Sequence, residues 1–501
     1  MSPLSTSERL ALAALAAAWV VPAWWLGAST VYGQAFAMGT GALAVVLALI
    51  VRNAAPLAKA EGWVGTAVPR PPQGLPRSAF SIQPSAFSLL PSAFIAAFLG
   101  LLLCQALNPD RILIPGRPVG LLRPLDHLAW LPTGIAGPFD TLPRDFLPFA
   151  NAWRHLLIAG AVVLPLAALA LLPLRPAMLR ALLGLLFIHA VLFSAFAFVH
   201  NLSGSTAVLW LVHDTINFKG APQFLGKNQQ GSYQLLLLAA ALAAWQAPAV
   251  VRPWTQLRHR NRWLAAGTAL VFLGSVTTRS RAGLAGAVLL ALAAAALALW
   301  PHRHHWRTHR RALVAAALAG LVAMAAIFSL PPVRATVGRL AEQARNPGDL
   351  LVGGSYRRIL HTIAWEMTLD RPWFGHGAGC YLLLFPEYQS RVPAFMEWVR
   401  RTQPNWNRPV HVYADGDWVQ FAAEYGLAGT ALLALPWLAW LFALQCARTL
   451  GPGTALLALG PVLVLAHGCI DFVLRNPAIL GFAAGLAALA LALSRLQSAP
   501  Q

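Results

Sequence analysis

Apolar runs of about 18 residues or more, the length that crosses the hydrocarbon core of a bilayer, recur from one end of the chain to the other. Nothing else in the sequence constrains the fold so strongly. Backbone passing through lipid must satisfy its own N–H and C=O groups, so only helices or a closed barrel can span it, and runs this long suit helices. Composition agrees, with 58% hydrophobic and only 11% charged residues, against about 25% charged in soluble domains. The sequence therefore predicts an all-α polytopic membrane protein with about twelve transmembrane helices. They are expected over 9–28, 35–52, 88–106, 155–173, 180–199, 232–251, 263–278, 282–300, 312–331, 426–446, 453–473 and 478–494. The first run lacks a cleavage site and is followed by another span, so it reads as a retained helix.

A net charge of +20 would suit nucleic acid, but the placement of the basic residues argues otherwise. Arg252, Arg258, Arg260 and Arg262 crowd one short connection, and Arg303, Arg307, Arg310 and Arg311 crowd another, with no acid in either. With Arg52, Lys59, Arg70, Arg77, Arg175, Arg180, Arg448 and Arg495 they all fall on one side if the N-terminus is cytoplasmic. Both termini are then expected in the cytoplasm, and nucleic acid is not an expected partner. His302, His304, His305 and His309 sit inside an arginine cluster that would repel a cation, so no metal is expected there. Cys104, Cys380, Cys446 and Cys469 have neither a disulfide framework nor metal-ligand spacing. Four connections face outward: 107–154, read as irregular with short interfacial helices, 200–231, a tight turn at 279–281, and the long polar stretch 332–425. The last contains ten arginines and no lysine. It divides the chain into nine helices over 1–331, a large loop with catalytic elements over 332–425, and three helices over 426–501.

Four outward-facing signals could carry chemistry. Lys227 and Asn228, in Gly226-Lys-Asn-Gln-Gln-Gly231, stand at a helix start where an anion can meet unpaired N–H groups. Arg279 and Arg281, in Thr278-Arg-Ser-Arg-Ala-Gly283, must lie at the membrane surface, where a held arginine usually has a partner. Gly353 to Glu366 reads as a helix carrying Arg357 and Arg358, followed by the glycine turn Gly375-His-Gly377-Ala-Gly379. The last is His411 to Gly429, with Asp415, Asp417 and Glu424, joined by Asp471 at the outer end of a late span. Arg281 or Arg475 is the expected partner of Asp471.

In this order the motifs resemble those of the O-antigen ligase/polymerase family: the lysine–asparagine before a span, the Ser280-Arg281 turn and the glycine turn after Asp370-Arg-Pro372. Gln420-x-x-x-Glu424-Tyr-Gly426-Leu-x-Gly429 and His467-x-x-x-Asp471-Phe472 complete the set. The resemblance covers roughly residues 220–480. It implies a GT-C-like helical bundle in the bacterial inner membrane, with its active site in the periplasm. It also implies transfer of a glycan from an undecaprenyl-diphosphate carrier to lipid A-core, or to another repeat unit in a polymerase, without cofactor or metal. A membrane transporter is the alternative from another class. By the resemblance Arg281 and Arg358, or Arg357, hold the diphosphate with Lys227, supported by Arg279, Asn228, Asp417, Glu424 and Asp471. The sequence departs from the family at the catalytic histidine: counted back from Glu424, Asp415 occupies that position, and His411 lies four residues earlier. Either could deprotonate the acceptor hydroxyl.

Overall fold

The computed structural model describes residues 4–24, 31–60, 84–114, 121–137, 151–205, 223–224, 226–246, 260–300, 325–345, 354–402, 413–447 and 450–498. Helices stand at eleven of the expected spans: α1 (Thr6–Trp24), α2 (Val31–Ala60), α3 (Pro84–Leu107), α4 (Ala152–Leu171), α5 (Pro176–Ser203), α6 (Lys227–Gln246), α7 (Arg260–Val276), α8 (Arg281–Leu299), α13 (Asp417–Gln445), α14 (Pro452–His467) and α15 (Pro477–Ser498). The twelfth, 312–331, lies mostly outside the described residues, as do the 302–309 histidines. Between α8 and α13 the described residues include α9 (Pro331–Ala344), α10 (Gly354–Asp370), α11 (Cys380–Tyr388) and α12 (Pro393–Thr402).

Six of these helices are long and apolar enough to cross a membrane, and three more apolar helices are shorter. Their outer faces fit lipid: on α5, Leu185, Ile188, Leu192 and Val199 are exposed at helical spacing. The opposite case is α6, buried from Gln229 to Ala244. A helix enclosed all round needs small neighbours, and Gly460 of α14 supplies one, since a Cβ there would come within 2.6 Å of the Ala239 Cβ.

One expectation is corrected after α3. Within this connection the described residues include three short strands: β1 (Pro109–Ile114), β2 (Leu121–Pro124) and β3 (Gly134–Ala136) make a sheet in the order β2-β1-β3. Asp110-Arg-Ile-Leu-Ile114 is rich in branched residues, and its backbone finds partners in an antiparallel β2 and a parallel β3. Leu113 and Ile135 of this sheet pack with Leu360, Ile363, Met367, Tyr381, Phe385 and Phe395 into a second core separate from the membrane-helix core.

The glycine turn locks this second core to α13. Gly426 breaks α13 with φ +68°, and the carbonyls freed before the break accept from the turn: His376 N–H donates to Ala423 O (3.0 Å) and Gly377 N–H to Glu424 O (2.9 Å). The N–H groups after the break donate back, Leu427 to Pro372 O (2.7 Å) and Ala428 to Trp373 O (3.2 Å). A Cβ at Gly426 would lie 2.3 Å from the Trp373 carbonyl, in a left-handed conformation besides. Gly426→Ala is therefore expected to destabilise the protein by more than about 3 kcal/mol. Thermal unfolding in detergent checks this.

Candidate active site

Three helix N-termini meet at one end of the bundle, those of α6, α8 and α13. Unpaired N–H groups make each a positive pole. The 468–476 turn after α14 closes the group and is stacked on the segment entering α13, with the Tyr413 and Phe472 rings 4.2 Å apart. The α13 start is held by its own first residue. Asp417, fully buried, accepts from Val473 N–H (2.7 Å) and Leu474 N–H (2.6 Å), while its N–H donates to Gly468 O (2.7 Å).

The charges divide into two sets. In the first, Arg475 donates to Glu424 at 2.7 Å, with Asp417 at 3.7 Å, and all three are buried or nearly so. Gln420 ties this set to the incoming segment, donating to Glu424 (2.9 Å) and accepting from Ala414 N–H (2.9 Å). This set is closed on itself and reads as structure. Arg475 is thereby excluded as the Asp471 partner that the sequence suggested.

The second set is open. Asp471, 2% exposed, pairs with Arg357 of α10 at 3.1 Å and accepts from Asn228 of α6. Arg357 also reaches Asp415, whose carboxylate lies 3.6 Å from its Nε. Arg281, the first residue of α8, lies within electrostatic reach of Asp471, Arg357 and Arg339. It makes no salt bridge among the described residues. Lys227 lies within reach of Arg339, Arg281, Arg279 and Asp471. Arg339 of α9 is anchored on the Arg279 carbonyl (3.0 Å), and Arg279 has a left-handed backbone, φ 60°. Burial, then Arg339 nearby, lowers the Arg279 pKa. Five cations thus face two carboxylates, a surplus that favours an anion.

Asp415 sits at the rim of this group, 24% exposed on its side chain and with φ 54°. Burial pushes its pKa up to about 6, helped by the charge of Asp471 and opposed by Arg357 and His361. Burial raises Asp471 as well, against the pull of Arg357. His361, one turn along α10 from Arg357, donates from Nε2 to the Asp415 carbonyl oxygen at 3.1 Å. A carbonyl can only accept, so Nε2 carries the proton.

Residues 266–434 match the O-antigen ligase family. The match covers about a third of the chain and makes that segment similar to the O-antigen ligase family. No curated protein matches the chain. The match supports a role in O-antigen assembly for the matched segment, and the six long apolar helices among the described residues suit a multi-pass membrane protein. The matched segment carries Arg279, Arg281, Arg339, Arg357, His361, Asp415, Asp417 and Glu424, and the fold adds Lys227, Asn228 and Asp471 from outside it.

Of the residues picked out in the sequence, Lys227, Asn228, Arg279, Arg281, Arg357, Asp415 and Asp471 are brought together. Between the two loop-helix arginines the geometry separates roles: Arg357 enters the group, whereas Arg358 is exposed. His411 lies outside the described residues. Asp417 and Glu424 belong to the closed set with Arg475. Sequence reasoning passed over Arg339, one of ten loop arginines with nothing in its local pattern to distinguish it. His361 carried a legible signal: four residues after Arg357 on a helix, it shares that arginine's face.

Proposed function

We propose that this protein transfers a glycan from undecaprenyl diphosphate to an acceptor hydroxyl, with lipid A-core as the acceptor and the site on the periplasmic side. The half-buried Arg281, without a salt bridge among the described residues and set among like charges, carries the reading. An arginine kept at the membrane surface in such company calls for an anion with several oxygens to share. A diphosphate supplies them, and its polyprenyl tail remains in lipid while the glycan extends into the loop region.

In this reading Arg281, Lys227, Arg339 and Arg357 surround the diphosphate. Their fixed charge is worth most as the anomeric C–O bond breaks and negative charge builds on the departing phosphate oxygen. Asp415 takes the proton of the acceptor hydroxyl as that oxygen bonds to the anomeric carbon from the opposite face, so configuration inverts. A carboxylate suits this role when burial lifts it toward working pH, as here to about 6. Asn228 and Asp471 hold Arg357 in place, and the Arg475 set holds the start of α13.

The pH dependence has a defined sign. Asp415 must be ionised to accept a proton, so turnover is expected to rise with pH through about 6, changing about tenfold per unit below that value. Asp415→Asn is expected to be slow and to lack this limb. A wild-type profile flat from pH 5 to 7 would remove Asp415 from the role and return it to His411.

The acceptor is tested with the purified protein in lipid, given an undecaprenyl-diphosphate-linked repeat unit with and without lipid A-core. Transfer that requires the core establishes a ligase. Chain growth from the donor alone establishes a polymerase of the same family and overturns the acceptor proposed here.

A further inference from the structure

Asp415 cannot aim its own carboxylate. It precedes the N-terminus of α13, and its backbone is left-handed (φ 54°), a conformation uncommon for residues with a Cβ though aspartate takes it more readily than most. Three contacts fix its surroundings: Ala414 N–H on the Gln420 side chain at 2.9 Å, Asp417 N–H on Gly468 O at 2.7 Å, and the Asp415 carbonyl on His361 at 3.1 Å. The first two hold its neighbours. Of the three, the third alone grips the Asp415 backbone, and it comes from α10, the helix that also brings Arg357 to the Asp415 carboxylate.

The next residue shows how closely the imidazole is seated. Gly416 is in an extended conformation that any residue adopts (φ −170°), so its backbone does not require glycine. Space does. A Cβ at 416 would lie 2.6 Å from His361 Nε2, with the Cys469 carbonyl oxygen at 3.2 Å. The chain is bare at 416 where the imidazole passes on its way to the 415 carbonyl.

We propose that His361 is a positioning residue for glycan transfer: its Nε2–H holds the Asp415 carbonyl, fixing the left-handed turn that presents the Asp415 carboxylate to the acceptor hydroxyl. This rests on Asp415 being the proton acceptor. α10 then aligns both halves of the reaction from one face, Arg357 toward the leaving diphosphate and His361 toward the base. The charged and titratable groups facing Asp415 among the described residues are Asp471, Arg357, His361 and the Tyr381 phenol. An imidazole that only positions leaves the acidic limb of the pH profile to the carboxylate.

The test uses full-length protein in lipid, with the undecaprenyl-diphosphate-linked repeat unit as donor. His361→Ala is expected to lower kcat by about 10- to 100-fold, the scale of a small misplacement of a catalytic group, with donor KM unchanged. His361→Gln, which keeps an N–H donor at similar reach, is expected to recover most of that loss, with the rising limb still near pH 6. Gly416→Ala attacks the contact from the other side: it should lower kcat alone and add nothing to His361→Ala. That variant also carries the test if His361→Ala does not assemble. Full turnover in both His361→Ala and Gly416→Ala would overturn the proposal. So would a His361→Gln enzyme as slow as His361→Ala and without the limb, because the imidazole would then take the proton itself. Asp415→Asn separates the levels. If it retains full turnover, the base assignment underneath fails; if it is inactive while His361→Ala is normal, only the positioning role fails.

Discussion

Arg281→Ala is expected to lower glycan transfer at least about 100-fold, the cost of deleting one fixed charge that meets a developing anion. The same change should leave assembly and thermal stability intact or slightly improved. Arg281 is the first residue of α8, where a cation opposes the helix dipole, and it makes no salt bridge among the described residues to lose. A residue retained against the dipole and beside Arg357 and Arg339 costs the fold something. Binding an anion is the compensation the geometry offers. Arg358→Ala is the control: exposed and without an ion pair among the described residues, it should keep transfer close to wild type. Comparable losses in the two variants would point to diffuse surface charge rather than a built site.

Arg475→Ala is expected to have the largest effect on stability, about 3–5 kcal/mol, seen as a lowered thermal midpoint and poor recovery from the membrane. Glu424 and Asp417 have side chains with no exposure, and Arg475 joins them at 2.7 and 3.7 Å. Removing the guanidinium strands Glu424 beside apolar neighbours, since Gln420 alone satisfies one of its oxygens. Asp417 fares better, because two backbone N–H groups still reach it. The double change Arg475→Met with Glu424→Leu should therefore recover much of the loss, the behaviour of a buried pair whose deletion hurts mainly by leaving one charge alone. If the single change instead leaves stability unaltered and lowers transfer, Arg475 belongs to the chemistry rather than the scaffold.

The sequence and the structure agree best where a single physical rule acts along the chain. Hydropathy located α4, α5 and α8 because lipid tolerates only long self-satisfied helices. The Gly375–Gly379 turn could be read as a close backbone approach because no other residue offers that freedom. Agreement weakens where partners come from far away in the chain. Asp471 could have taken Arg281, Arg475 or Arg357, and the choice follows from which helix α10 packs against, which no local pattern encodes. The strands β1 to β3 are short, and β1 is satisfied only by segments on both sides of it, so no run of alternation announces them. His361 lies between these cases: its spacing from Arg357 was visible, but its use depends on Asp415 arriving from more than fifty residues away.

Binding of the donor's diphosphate by the open cation group is read at equilibrium. Undecaprenyl diphosphate would be titrated into wild-type protein and Arg281→Ala in nanodiscs, with undecaprenol as the neutral lipid of the same tail. Tight binding of the diphosphate to wild type is expected, with at least about tenfold weaker binding to Arg281→Ala, in keeping with loss of a charge-assisted contact, and equal, weak binding of undecaprenol to both. Equal affinity of the two proteins for the diphosphate would contradict that expectation.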